Sequence, residues 1–384
     1  MSTEVMSSRE RMLAALRGQE TDRIAWSPLI VGYYTMGLPE PLRGNNVSTQ
    51  RAIGADILER DYDVWCQSLD WGIPVLDGRG LFPPTRVTRA GGVELTQQWH
   101  GDQLLRVYKT PAGSVRETYE KRESSPWLPF PTEPIVKTLD DLKVLRYIVE
   151  TIQFQPTFEV FQEMDRQIGE DGLAAASSPT SPFQTLMELQ LGVQQFYYFL
   201  ADHPSEIEET LEVCHIKNLE ACRIIADSPA QVVIIYENTS TSYMSPWMFS
   251  KYVLPHLNEY SDLYHQAGKI VLIHACGKLK DVAGLLATGR YDGVCDMAPP
   301  PTGDLDLVEA KQRWGNSLVA MGGIDCTSFI SLSPQAMKTH VLEMLEQVSH
   351  YRGVILGSGD AVPLGTPMEA LRAVTEAVKE FGHG

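Results

Sequence analysis

The chain has 384 residues, 43% of them hydrophobic, which is enough for a sizeable buried core. Its 32 Lys and Arg against 49 Asp and Glu give a formal charge of −17, which repels phosphate backbones and anionic lipid and argues against a nucleic-acid or membrane-surface binder. Met1 to Arg11 is polar, and the longest apolar runs, such as Ile270–Ile273, are far too short to cross a bilayer. A cytoplasmic protein without a signal peptide is expected, and the 6 widely spaced cysteines read as reduced thiols.

In chain order, Ile24–Ile30 and Tyr62–Cys66 are predicted as the first two strands. From about Arg86 to Glu120 the rhythm breaks. Alternating runs (Glu94–Trp99, Leu104–Lys109, Ser114–Tyr119) are separated by Gly and Pro turns, as in an antiparallel excursion over part of a barrel mouth. The proline-rich Glu123–Ile135 reads as an ordered connector. Leu173–Ser177 is the third strand. Gln231–Tyr236, Lys269–Ile273, Asp292–Asp296, Ser317–Gly322 and Gly353–Leu356 follow as short apolar strands. Segments of helical spacing come after each of these, at Pro246–Gln266, Leu279–Thr288, Asp304–Trp314, Pro334–Val348 and Thr366–Phe381. Continuous apolar strands joined by helices imply a parallel sheet covered on both faces. Eight such strands predict a single (β/α)8 TIM barrel domain over residues 1–384, with a β-rich insertion at about 86–120.

A barrel places its chemistry at the carboxyl ends of its strands. The residues there are Glu237 after the fourth strand, His274 and Cys276 after the fifth, and Asp296 after the sixth. Asp325 and Cys326 follow the seventh, and Ser358 and Asp360 the eighth. His274-Ala275-Cys276 carries the clearest signal. Residues two apart in extended chain point the same way, so an imidazole and a thiolate can bind one metal side by side. Mixed N/S ligation suits zinc, and an open fourth position can take a substrate heteroatom. Glu237 is a third ligand, a general acid or base, or a capping group facing solvent. Asp325 and Asp360 stand in Gly-rich strand ends (GGID, GSGD), where Asp also caps helices. Cys326 and Cys295 are extra ligands or buried thiols.

Several segments together resemble one family. They are Ser8-Arg9-Glu10-Arg11-Met12-Leu13-Ala14-Ala15-Leu16 with Asp22-Arg23, Ser245-Pro246-Trp247-Met248-Phe249, Ile273-His274-Ala275-Cys276-Gly277, Met321-Gly322-Gly323-Ile324-Asp325 and Gly357-Ser358-Gly359-Asp360. The chain resembles the uroporphyrinogen decarboxylase superfamily, and within it the corrinoid-linked methyltransferases. In the decarboxylases proper, an arginine-rich first strand grips substrate carboxylates. Here that stretch is Trp26-Ser27-Pro28-Leu29-Ile30-Val31-Gly32-Tyr33-Tyr34, without Arg. In the coenzyme M methyltransferases, zinc is held by a His-x-Cys and a later Cys near the last strand. The first part matches His274 and Cys276, whereas the later position holds Ser358.

The resemblance implies a zinc-dependent methyltransferase working with a separate corrinoid protein. Glu237, or else Cys326 or Asp360, would complete the metal set, with Glu237, His274 and Asp360 as the catalytic residues. Fewer thiolates leave a more Lewis-acidic metal, which points to demethylation of a methoxylated small molecule, with a thiol substrate as the other possibility. Tyr33, Tyr34, Trp65, Tyr243 and Ser358 are the expected substrate-binding residues, and the chain is expected to pair as a homodimer. Two other readings stay open. One is a metal-independent decarboxylase of a small acid using Asp360 or Asp325. The other is a non-enzymatic barrel that binds a corrinoid or tetrapyrrole.

Overall fold

A computed structural model of the chain describes residues 6–60, 85–123 and 125–382. Eight parallel strands form one curled sheet: β1 (Ala25–Trp26), β2 (Ile57–Glu59), β3 (Gly172–Ser178), β4 (Val232–Ile235), β5 (Ile270–His274), β6 (Gly293–Met297), β7 (Val319–Ile324) and β8 (Val354–Ser358). Their spatial order is β1-β8-β7-β6-β5-β4-β3-β2. The two edge strands meet where Asp56 N–H donates to Trp26 O at 2.8 Å. An eight-stranded parallel sheet curled in this way is consistent with the barrel expected from sequence. The second strand, however, is Ile57–Glu59, upstream of the expected Tyr62–Cys66, which lies outside the described residues.

Side-chain alternation sorts the strands into two buried layers, as expected for strands covered on both faces. Leu58, Ala175, Ile234, Tyr236, Leu272, Cys295, Met321 and Ile355 pack together inside the curled sheet. Val233, Ile235, Val271, Ile273, Val294 and Ala320 face the helices. The helix Ser8–Leu16 contributes Met12, Ala15 and Leu16 to the inner cluster, which stops the amino-terminal end of the sheet. A buried ion network secures that end. Arg11 reaches Asp56 at 2.7 Å and Asp22 at 2.7 Å, and Arg23 reaches Asp56 at 2.7 Å.

Between β2 and β3 lies the antiparallel excursion, and it is larger than expected. Its four strands are Glu94–His100, Gln103–Thr110, Gly113–Arg122 and Ser125–Glu133. The last of these occupies the proline-rich segment expected to be a connector. Prolines suit it because it is an edge strand, paired on one side only. Leu104, Arg106 and Tyr108 alternate onto one buried face with Val115, Glu117 and Tyr119 of the next strand. That face packs against the helix Leu139–Glu150, while the strand Ser125–Glu133 touches the short helix Gly32–Thr35 after β1. A further ribbon pairs Thr85–Arg89 with Ile152–Pro156. No helix among the described residues is long and apolar enough to cross a membrane.

Candidate metal and catalytic site

His274 is the last residue of β5, two positions beyond Leu272, and so continues the inward-facing row. It is buried, and its ring lies 5.3 Å from that of Tyr236 at the end of β4. Strict alternation would place Cys295 of β6 inside the sheet and Asp296 outside. Instead the β6–β7 register shifts between Val294 and Met297, and Asp296 takes a φ of 63°. This left-handed backbone, which Asp tolerates better than most residues, turns the carboxylate inward. Gly322 of β7 permits the bulge, because a Cβ there would lie 2.6 Å from Met297 N and O.

The Asp296 carboxylate meets His274 Nδ1 at 2.8 Å and accepts from the Arg60 guanidinium at 2.5 and 2.6 Å. All three side chains are buried. Arg60, one residue past β2, also accepts the Tyr236 hydroxyl proton at its carbonyl, 3.1 Å away. Burial opposes the ionised form of Asp296, yet Arg60 and His274 hold its carboxyl well below the ordinary range. Burial likewise opposes a charged His274 ring, but Cys276 and Asp296 beside it raise its proton affinity well above the usual value.

Two groups of metal-binding atoms converge on His274. In one, the ligand atoms of His274, Cys276 and Asp360 lie within 4.8 Å of one another. In the other, those of His274, Cys295 and Asp296 do. The first opens outward: His274 is buried, Cys276 half-buried and Asp360 exposed at the end of β8. Burial pushes the Cys276 thiol up, against the pull of His274. An imidazole, a thiol and a carboxylate grade from the sheet interior to solvent, a donor set that fits zinc.

Glu237 stands elsewhere. It is fully buried, and Ser181 holds both of its oxygens, through N–H to Oε2 at 2.8 Å and Oγ to Oε1 at 2.5 Å. Burial raises its pKa to about 8 against those bonds. It ties the end of β4 to the loop after β3. Beside it, Asn238 adopts a φ of 49° and donates its amide to Glu188 at 3.2 Å. The Tyr243 hydroxyl donates to Asn238 O.

The model of the family Uroporphyrinogen decarboxylase (URO-D) matches residues 119–381, which include β3 to β8 and every residue of the His274 cluster except Arg60. The chain belongs to the URO-D family. Its fold is shared with solved structures at low identity. A methyltransferase from Methanosarcina mazei superposes over 98% of this chain and 99% of that one, with a TM-score of 0.64 and 16% identity. A B12-independent methionine synthase from Shewanella sp. W3-18-1, in complex with selenomethionine, covers 93% of this chain and 98% of its own, with a TM-score of 0.50 and 11% identity. A search of curated proteins returned no match.

Of the residues expected from sequence, this URO-D chain brings His274, Cys276 and Asp360 together. Glu237 and Cys326, expected as metal ligands, fall in neither metal-binding group among the described residues. Glu237 is diverted because its oxygens are engaged by Ser181. Cys326 is buried, and its thiol is pushed up by burial and by Asp360 and Asp325. Asp325 accepts from the hydroxyls and N–H groups of Thr302 and Thr327, joining the loops after β6 and β7. Ser358 is fully buried and accepts the Leu29 N–H at 2.9 Å, bracing β8 against the segment after β1. Tyr34 is buried and donates to Thr366 O at 3.2 Å, and Tyr243 is half-buried. Trp65 and the Tyr33 side chain lie outside the described residues. Arg60 was missed because the second strand was expected downstream of it. The short apolar pair Ile57-Leu58 after Gly54 was the available signal.

Proposed function

We propose that this URO-D member is a zinc-dependent methyltransferase that moves a methyl group between a small substrate and a corrinoid protein. The observation that carries this reading is the convergence of His274, Cys276 and Asp360 at the carboxyl ends of β5 and β8. Zinc held by these three would act as a Lewis acid on the substrate heteroatom. At the same formal ligand charge, one thiolate with an imidazole and a carboxylate donates less electron density to the metal than a set with two thiolates. That favours an ether oxygen, the poorer leaving group, and hence a methoxylated compound. The chain's own groups prepare the site. Asp296 and Arg60 fix the His274 ring, Tyr236 packs beside it, and the half-buried Cys276 and exposed Asp360 leave one side accessible. The fold shared with the Methanosarcina mazei methyltransferase over nearly the full chain agrees with this reading. Decarboxylation in the manner of the family's namesake is disfavoured, because Arg60, the arginine bonded into the cluster among the described residues, is committed to Asp296.

The test is elemental analysis of the purified protein, followed by a methyl-transfer assay with methoxylated substrates and a methyl-accepting corrinoid protein. Near-stoichiometric zinc in wild type, with loss of zinc and of transfer in His274→Ala and Cys276→Ala, is expected. Absence of zinc together with full activity in His274→Ala would sink the reading.

A further inference from the structure

Asp296 belongs by proximity to a metal-binding group of its own, with His274 and Cys295, so its role must be decided. Both of its oxygens are already engaged. Oδ1 takes Arg60 at 2.5 Å, and Oδ2 takes Arg60 at 2.6 Å and His274 Nδ1 at 2.8 Å. A cation bound there would sit beside a buried guanidinium in a medium that screens poorly, which is unfavourable. Cys295 points into the apolar cluster inside the sheet, with Leu272, Met321 and Ile355. Cys276 and Asp360 open towards solvent, and among the described residues the Asp360 carboxylate accepts one backbone bond, from the Ala361 N–H at 2.7 Å.

The surroundings of Asp296 form a closed ring. Asp296 bonds His274, Arg60 bonds Asp296, the Arg60 carbonyl takes the Tyr236 hydroxyl, and the Tyr236 ring packs on His274. β2, β4, β5 and β6 thus each contribute to the orientation of one imidazole. A backbone at φ 63° is uncommon for a residue other than glycine, and the bulge that carries it delivers this carboxylate to His274 and Arg60. An acceptor-only carboxylate requires the hydrogen on Nδ1, which leaves Nε2 to face outward.

We infer that Asp296 and Arg60 are positioning residues of the metal centre: they hold His274 through Nδ1, so that Nε2 joins Cys276 and Asp360 as the ligand set, and Asp296 is not itself a ligand. This deepens the zinc reading and rests on it. Orienting carboxylates of this kind typically account for 10- to 100-fold in metal affinity.

The experiment measures zinc affinity by competition with a chromophoric chelator, and the absorption spectrum of the cobalt(II)-substituted protein. Wild type is compared with Asp296→Asn, Asp296→Ala and Cys295→Ala. Asp296→Asn preserves shape and should weaken zinc about tenfold, and Asp296→Ala nearer 100-fold. In both, the cobalt spectrum should keep its tetrahedral band intensities and its thiolate charge-transfer band, because the ligands are intact. Cys295→Ala should change neither readout. Altered coordination in the Asp296 variants, or loss of the thiolate band in Cys295→Ala, would overturn the assignment and favour the inner group. Unchanged zinc affinity in both Asp296 variants would overturn the positioning role while leaving the zinc reading in place. Failure of wild type to bind either metal would overturn both. Asp296→Asn guards against misfolding of the alanine variant, and matching thermal melts of the metal-free proteins confirm it.

Discussion

Glu237 and His274 end neighbouring strands, yet their surroundings treat them oppositely. His274 is held in a charged, bonded ring, whereas Glu237 is sealed with its proton affinity raised to about 8. For a carboxyl raised on folding, the neutral form stabilises the fold. That contribution is complete below the ordinary 4.5 and is lost as pH rises towards about 8. Wild type should therefore lose stability between about pH 5 and 8 relative to Glu237→Gln, by on the order of a few kcal/mol. Thermal melts of the two proteins across that range check it, and parallel pH profiles would show that Glu237 is ionised in the fold. His274 and Cys276 make a complementary prediction. Zinc uptake must displace protons, so affinity should fall as pH falls, and a pH indicator in weakly buffered protein should record acid release on zinc addition.

The bulge in β6 decides the site, and it depends on a glycine in the next strand. Gly322 has a φ of 135° and faces Met297 where the register shifts. Gly322→Ala combines backbone strain with a backbone clash and should cost on the order of 2 kcal/mol or more. Urea denaturation measures it, and zinc affinity should fall with it because Asp296 loses its seat. Strand periodicity made β3 to β8 legible, since runs such as Val232–Ile235 are apolar throughout and bounded by polar turns. The pairing of His274 with Cys276 followed from the same extended geometry. The Asp296–Arg60 pair did not, because a bulge inverts the side-chain parity on which such a reading depends. β2 is only three residues long and offers no period to detect, whereas two-residue β1 falls inside the predicted Ile24–Ile30. Glu237 was placed correctly at a strand end, but its turn towards Ser181 is a tertiary event with no local signature.

The buried ion network and the candidate site lie at opposite ends of the sheet. Arg11, Arg23, Asp22 and Asp56 join the first helix to the starts of β1 and β2. Asp56 also accepts the Trp26 N–H at 3.0 Å, beside the backbone bond that links the two edge strands. Asp56→Ala would remove the carboxylate that Arg11 and Arg23 share, leaving Asp22 as the acidic partner of Arg11, and should cost about 3–5 kcal/mol. Chemical denaturation would register that loss, whereas the zinc affinity of the folded fraction should be unchanged. Asp22 adds an acid limit. Although burial opposes its charge, Arg11 and the Met6 N–H lower its pKa to about 2, so its contribution is present above the ordinary 3.8 and is lost as pH falls towards 2.

The helix Ser8–Leu16, packed into the amino-terminal end of the sheet, has a consequence for traffic. With that end stoppered, the described residues leave the opposite end as the doorway, and for the reaction proposed above both reactants would use it. The small molecule has to enter before a bulky protein covers the opening, and what remains of it leaves only after that protein departs. Steady-state kinetics should therefore show a compulsory order, with excess corrinoid protein inhibiting turnover by capping empty sites. Random-order kinetics, with no such inhibition, would mean that a side entrance exists.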